Sequence, residues 1–267
     1  MSTGIGIVAG FGLLLTAIFM GGGLSVFLNL EAVMITMGGT LAATLISYPF
    51  ERVLNFFALV MQLFREEHQR VFEQTVSRLV ALGQKASKDT IFSLEKEAKD
   101  EKNRYLKAGI QLLVQDAPAS RISKRFNIEV EGVKSRHQEG IQLFGFMSRI
   151  APSLGLVGTI IGMINMLRGM AGDVSPETLG PNMAVALVCT LYGCLLAFVL
   201  FLPASEKLKA YSTREQALIH MIQEGLLLIR DGRTGREMEE TLNSYLPPRR
   251  RQAIVEKLLL GGIDKKK

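Results

Sequence analysis

The sequence predicts an all-α integral membrane protein with four transmembrane helices and a helical cytoplasmic domain. Three observations predict this class. Apolar residues of the 267-residue chain are gathered in long runs rather than spread with one helical period, and no β-rich region is present. The basic residues, in addition, are concentrated between and after these runs.

Residues 1–49 predict transmembrane helices one and two. No charged residue precedes Glu31, and none lies between Glu31 and Glu51, so each run is long enough to cross roughly 30 Å of hydrocarbon. The first helix is predicted at about residues 4–20, and the lack of a basic segment before it disfavours a signal peptide. The second enters at Glu31, which is placed at the periplasmic mouth, and it leaves near Pro49.

Residues 50–146 predict a cytoplasmic helical domain. Apolar side chains such as Phe72, Val76 and Leu79 recur every three or four residues with charged residues between them, which is typical of amphipathic helices. Residues 147–204 are again apolar and predict transmembrane helices three and four. Residues 205–267 predict cytoplasmic helices and a basic tail.

The placement of charge predicts the orientation in the membrane. Sixteen Lys and Arg residues lie between Pro49 and Phe146, and thirteen follow Pro203. The two opposite loops hold only Arg168. Under the positive-inside rule both termini are therefore cytoplasmic, in an inner membrane, and the net charge of +6 requires no nucleic acid as a partner.

Helices three and four each carry a stripe of small residues with one threonine in it. The two stripes, at steps of three and four residues, are Pro152, Gly155, Thr159, Gly162, Met166 and Met183, Ala186, Thr190, Gly193, Ala197. One interpretation is close helix packing, with each hydroxyl bonded back to its own helix. The other is a polar path between the helices, and the pattern leaves both open.

Motifs of enzyme chemistry are missing from the sequence. It has no Gly-rich phosphate loop, no zinc-ligand spacing and no nucleophile elbow, which predicts a protein that is not an enzyme and holds no cofactor or permanent metal. Ion pathways normally include a charged side chain at membrane depth, yet no predicted span has one near its middle. If ions pass here, a carboxylate from another chain must pack against Thr159 and Thr190.

Several motifs now indicate a family. The strongest motif of the third predicted span is Ala151-Pro152 followed by residues 155–162. That of the fourth is residues 180–187 and 190–193, leading to Pro203. Residues 38–40 and 246–248 are weaker matches. Over essentially its full length the chain resembles the MotA/PomA stator subunits of the bacterial flagellar motor, in the wider group that includes ExbB and TolQ. Those two relatives have a single helix ahead of the shared hairpin, so the predicted N-terminal pair favours the flagellar branch.

The resemblance implies an assembly. In that family five subunits, a homopentamer, surround two copies of a single-span MotB/PomB-type partner, whose membrane aspartate binds the transported Na⁺ or H⁺. The partner's periplasmic domain grips peptidoglycan, and ion flow drives torque on the rotor. A threonine at both positions resembles sodium-type stators more than the best-known proton-type ones. An ExbB/TolQ-like energiser of envelope transport is the alternative.

The resemblance also implies roles for individual residues. Thr159 and Thr190 match hydroxyls that line the ion path, and Pro152 and Pro203 match prolines that couple ion passage to movement. A proline removes one hydrogen bond of the helix and allows a kink or hinge.

A charged stretch of the cytoplasmic domain matches the family's contact with the rotor protein FliG. Its residues here are Lys85, Lys88, Glu95 and Glu97. This sequence departs from the family in one place, because Ser87 stands where an arginine is usual. The basic role is therefore expected of Lys88 or Lys85.

Overall fold

The fold was analysed in a computed structural model of the chain. It describes residues 9–10, 12–13, 16, 19–20, 27–55, 69–170, 176–233 and 235–246. Every regular element within these residues is a helix, which confirms the predicted all-α class. Most of the predicted first membrane helix and the tail from residue 247 lie outside the described residues.

The described residues form eight helices. The first part of the chain forms α1 (Leu30–Ser47), which includes a π-helical turn at Met34–Gly38, then α2 (Gln69–Lys88), a 3₁₀ turn (Ile91–Leu94), α3 (Glu95–Asp100) and α4 (Arg104–Val114). The second part forms α5 (Ala119–Met170), α6 (Pro176–Leu195), a π-helical turn (Leu196–Phe201), α7 (Leu202–Arg230) and α8 (Arg236–Asn243).

Three helical stretches of the described chain are long and apolar enough to cross a membrane. They are Leu30–Ser47, a segment within Ala119–Gly169 and a segment within Leu179–Arg230. By length and composition these agree with the predicted second, third and fourth spans. The described residues therefore contain three candidate spans, and the predicted count of four stays a prediction.

The chain packs as two compact units. The first comprises Met1–Glu66 with Arg136–Tyr211, and the second comprises Glu67–Ser135 with Ser212–Lys267. Both boundaries inside the long helices fall in polar segments, at residues 135–136 and 211–212. These are boundaries of packing and do not locate a membrane surface, so the predicted domain limits remain predictions.

In the first unit, α5 and α6 approach so closely that their backbones touch. A Cβ atom added to Gly193 would lie 2.6 Å from the carbonyl oxygen of Ala151, and one added to Gly155 would lie 2.9 Å from that of Cys189. No side chain fits at either position. The small-residue stripes thus form a tight helix contact, as their packing interpretation predicts.

Helix α1 carries a column of buried threonines. Thr36, Thr40 and Thr44 are fully buried, and each hydroxyl donates to the carbonyl oxygen four residues earlier, at 2.5 to 2.7 Å. A buried hydroxyl without a partner would cost free energy, and these bonds within the helix remove that cost. The column is therefore structural.

The second unit has an aliphatic and aromatic core. Helix α2 contributes Val76, Leu79, Val80 and Leu82; α4 and α5 contribute Leu106, Ile110, Ile122 and Phe126; α7 and α8 contribute Ile219, Ile222, Leu226, Met238 and Leu242. All of these side chains are at most 2 % exposed. Because most of the stability of helices in proteins comes from packing of an apolar face, burial of this core is the main contribution to their stability.

A tyrosine joins α4 to α7 at the edge of this core. The Tyr105 hydroxyl donates to Oε1 of Glu215 at 2.6 Å, and the Arg104 guanidinium donates to the same hydroxyl. Burial, followed by the hydrogen bond to the Glu215 carboxylate, raises the pKa of Tyr105 to about 12. The neutral phenol is therefore favoured by the fold.

The backbone contact at Gly193 predicts a large response to one methyl group. Gly193→Ala should destabilise the protein by about 1–3 kcal/mol, because α5 and α6 must separate to admit the Cβ. Gly169→Ala, on the facing helix α5 and with open space around its Cβ, should be neutral or slightly stabilising. Thermal unfolding of the purified proteins by circular dichroism checks this, and equal melting temperatures for the two variants would contradict it.

The Tyr105 bond predicts a dependence of stability on alkaline pH. Because the folded-state pKa of about 12 exceeds the ordinary 10.0, this contribution is fully present below pH 10 and is lost as pH rises towards 12. Tyr105→Phe should cost about 1–3 kcal/mol at pH 8, since Glu215 loses a donor, and should weaken the alkaline loss. Tyr48→Phe, whose ring packs against Phe146 with centroids 5.8 Å apart, is the control in a pH series of unfolding curves.

Candidate functional site

The two threonines predicted from the stripes meet across the α5–α6 contact. Their Oγ1 atoms lie 2.5 Å apart. Thr159 is half-buried and Thr190 is exposed at the surface of the single chain. The structure thus brings together two residues that are 31 positions apart in the sequence, and the close approach at Gly155 and Gly193 is what allows it.

Two backbone carbonyls complete this polar group. Thr159 Oγ1 lies 3.1 Å from the carbonyl oxygen of Gly155, on its own helix, and 3.0 Å from that of Ala186, on α6. Thr159 has a single hydroxyl proton, which it donates to one of these carbonyls or divides between them: the Gly155 carbonyl lies on the same helix, as expected, and the Ala186 carbonyl lies on the other helix. Ala186 belongs to the predicted stripe, but the sequence did not reveal the contact of its carbonyl oxygen, because a backbone group has no side-chain signal.

The number of protons limits what the pair can do. The two hydroxyls have two protons in total, and one of them is used in the bond between the hydroxyls. The oxygens of Thr159 and Thr190 keep lone pairs, and four neutral oxygens lie within a few ångströms. Such oxygens suit a small hard cation, or a carboxyl group that shares a proton.

The site itself carries no charge. No Asp, Glu, Lys or Arg lies between Arg149 and Arg168, or between Glu177 and Glu206. Within the described residues, no group of three or more His, Cys, Asp or Glu side chains could hold a metal ion. Neutral oxygens alone coordinate a cation weakly, so the arrangement lacks the anion that would stabilise it.

The two predicted prolines lie at the end of this contact opposite the loop that joins α5 and α6. Pro152 is inside α5, one turn from Ser148, whose carbonyl it cannot bond, and its Cα is 3.2 Å from the Cβ position at Gly193. Pro203 lies at the start of α7, just after the π-helical turn Leu196–Phe201. The π-helical turn was not predicted from the sequence. Pro203, which has no backbone N–H, was a signal that the helical hydrogen bonds are irregular there.

Glu31 lies in the first turn of α1, next to the helix cap. The Asn29 side chain accepts a hydrogen bond from the Ala32 backbone N–H at 3.0 Å, and Glu31 is exposed. An acidic side chain at a helix N-terminus is favourable in itself. The structure provides this simple role, and the predicted place at a periplasmic mouth stays a prediction.

The predicted rotor-contact residues divide into two groups. Lys85 and Glu97 bond each other, with Nζ and Oε1 2.7 Å apart. Lys88 is exposed at the end of α2, and Glu95 is exposed on α3, 3.9 Å from Lys99. Lys85 and Glu97 are thus paired with each other, whereas Lys88 and Glu95 are exposed at the surface of the second unit.

A further pair of residues belongs to this cluster and escaped the sequence analysis. Arg78 on α2 donates to Glu97 at 2.7 Å and to Glu101 at 3.1 Å. Glu97 and Glu101 follow Arg78 by 19 and 23 residues in the sequence, so no local spacing indicated these contacts. Hydrogen bonds from Lys85 and then from Arg78 lower the pKa of Glu97, which keeps this carboxylate ionised.

Comparison with known proteins places the chain in a family. Residues 97–221 match the model of the MotA/TolQ/ExbB proton channel family. Motility protein A of Treponema phagedenis is 31% identical over 257 residues, which is 96% of this chain and 97% of that protein. Motility protein A of Borreliella burgdorferi is 34% identical over 94% of this chain and 95% of its own length.

The fold agrees with a solved relative. The flagellar MotAB stator complex from Bacillus subtilis superposes with a TM-score of 0.87 at 31% identity, over 95% of this chain and 99% of the matched chain. The chain therefore belongs to the Motility protein A family, within the MotA/TolQ/ExbB proton channel group.

Proposed function

We propose that this chain is a stator subunit of the bacterial flagellar motor, which forms an ion channel with a MotB/PomB-type partner and converts ion flow into torque. The observation that carries the proposal is the Thr159–Thr190 hydroxyl pair in a span without charge, in a member of this family. The full-length matches are to Motility protein A, so an ExbB/TolQ-like transport energiser is not favoured.

The uncharged site supports a channel shared with another chain. A cation that enters hydrocarbon loses its water shell, and neutral oxygens replace only part of that energy. A carboxylate on a single-span partner, placed beside Thr190, would supply the missing charge. The exposure of Thr190 on the single chain is compatible with such a neighbour.

The proposed assembly has several copies of this chain around the partner. Four helices of one subunit cannot enclose a path by themselves, and a homopentamer is the arrangement that the family resemblance implies. The protein would span the inner membrane several times with both termini in the cytoplasm, as the distribution of basic residues favours.

Coupling would use the two prolines. Pro152 and Pro203 each interrupt the hydrogen bonds of a helix that also forms part of the hydroxyl site or continues from it. A protonated or ion-loaded partner carboxylate contacts these helices differently from an empty one. A hinge at each proline would transmit that difference to the cytoplasmic unit, which we propose contacts FliG through exposed charges including Lys88 and Glu95.

The hydroxyl pair predicts the effect of an isosteric substitution. Thr190→Val keeps the shape of the side chain but removes the oxygen, and it should abolish swimming while membrane levels stay normal. Thr190→Ser should restore part of the motility, because it returns the hydroxyl. Thr44→Val is the matched control, since that threonine is buried and bonded only to Thr40 of its own helix.

The measurements are swimming speed and the amount of protein in the membrane. Normal swimming of the Thr190→Val strain, with unchanged ion dependence, would contradict the ion-path role. Loss of swimming in the Thr44→Val strain to the same degree would show that the effect is not specific to the Thr159–Thr190 hydroxyl pair.

The paired threonines predict sodium as the transported ion. Swimming speed at fixed pH should rise with sodium concentration and fall towards zero without it, because the four neutral oxygens can replace part of the water shell of a sodium ion. Full speed without sodium would overturn the sodium assignment and leave the stator function intact. Potassium at equal ionic strength is the control for screening of the surface charges.

A further inference from the structure

We infer that Arg78 is a positioning residue, which holds α3 in one rotational setting so that Glu95 faces the rotor. This inference rests on the proposed rotor contact and assigns a task to a residue outside the predicted contact set. It also divides that set, since Lys85 and Glu97 would act through the position of α3 rather than by touching the rotor.

The geometry of the cluster restricts the rotation of α3. Arg78 uses two nitrogens, with Nη2 bonded to Oε2 of Glu97 at 2.7 Å and Nε bonded to Oε2 of Glu101 at 3.1 Å. Lys85 occupies the second oxygen of Glu97 at 2.7 Å. A planar guanidinium with two acceptors fixes direction as well as distance, which a single flexible ion pair does not.

Helix α3 depends on such contacts because it is too short to hold its own position. It has 6 residues and no side-chain cap at its N-terminus. Helices of this length are unstable in water by themselves. Its apolar contribution is small, with Ala98 buried on α3 and Leu94 buried just before it.

The exposed charges stand on the opposite side of α3 from the cluster. Residues 95 and 99 share one face, whereas residue 97 lies about 200° further round the helix. The side chains of Glu95 and Lys99 are 68% and 75% exposed, whereas those of Glu97 and Glu101 are 25% and 11% exposed. Any rotation of α3 that follows loss of the Arg78 bonds moves Glu95 by the same angle.

Partial burial makes these ion pairs more significant than ordinary surface pairs. Exposed pairs contribute little to stability, whereas a carboxylate with little exposure is destabilised when its cation is removed. Glu101 would keep only the Asn103 backbone N–H, at 2.9 Å, of the donors that the structure gives it. Loss of the Arg78 side chain therefore favours a different orientation of α3, while the aliphatic core of the unit keeps its contacts.

A double-mutant cycle in the assembled motor tests the inference. The strains carry Arg78→Gln, Glu95→Gln or both, in the full-length chain with its partner, and the readout is torque per stator unit at high load. If Arg78 acts through the position of Glu95, each single substitution should reduce torque several-fold. The double variant should then produce no less torque than the single variant with the lower torque. Reductions that multiply in the double variant would overturn the inference.

A matched cycle uses Arg125, whose guanidinium pairs with Glu129 at 2.6 Å on an exposed turn of α5. Arg125→Gln should leave torque near the unsubstituted value, alone and with Glu95→Gln. Arg78→Lys should recover part of the torque, because it returns the charge but not the fork of two donors. Normal torque for Arg78→Gln would also overturn the inference, and so would a reduced torque that Arg78→Lys does not recover at all.

Two further readouts separate positioning from general damage. Ion flux through the complex and the amount of protein in the membrane should be unchanged by Arg78→Gln, since the cluster lies outside the apolar spans. A parallel fall in flux, level and torque would show a purely structural effect and overturn the inference. Normal torque with Glu95→Gln would instead contradict the rotor contact of the proposed function, and the positioning role would end with it.

Discussion

The backbone contact between α5 and α6 is the constraint on which the candidate ion site depends. At Gly155 and Gly193 the helices lie so close that even a methyl group would overlap a carbonyl oxygen or a Cα atom. Only at this separation can two short threonine side chains reach each other across the gap. The glycines therefore have no polar role, yet they determine where the hydroxyls are and how rigidly they are held.

The two interpretations of the threonine stripes describe the same atoms. Thr159 bonds the carbonyl of Gly155, as a structural threonine does, and also reaches Thr190 and Ala186 on the other helix. The column on α1 shows the difference, because there each hydroxyl bonds only within its own helix and is fully buried. A hydroxyl becomes available for chemistry when its oxygen faces an open side, and Thr190 meets that condition.

Local periodicity made much of this structure predictable. The amphipathic steps on α2 and the paired stripes on α5 and α6 follow from one helix at a time, and the comparison with solved relatives confirms the all-helical class and the family. The charged cluster was only half found. Lys85 and Glu97 were singled out by resemblance, but Arg78 and Glu101 join them through packing of α2 against α3, which no spacing along the chain encodes.

Each of the two candidate functional regions lacks a component that a neighbouring chain could supply, as expected for one subunit of an assembly. The membrane site offers oxygen ligands without charge, so it needs an anion from a neighbour. The charged cluster of the second unit offers residues whose inner members are already paired with each other, so only the outer ones stay exposed. Neutral oxygens alone do not hold a cation strongly, so in the proposed stator the partner helix would supply the missing anion. In the same proposal the exposed charges would transmit force only against a second charged surface, which this chain does not itself provide.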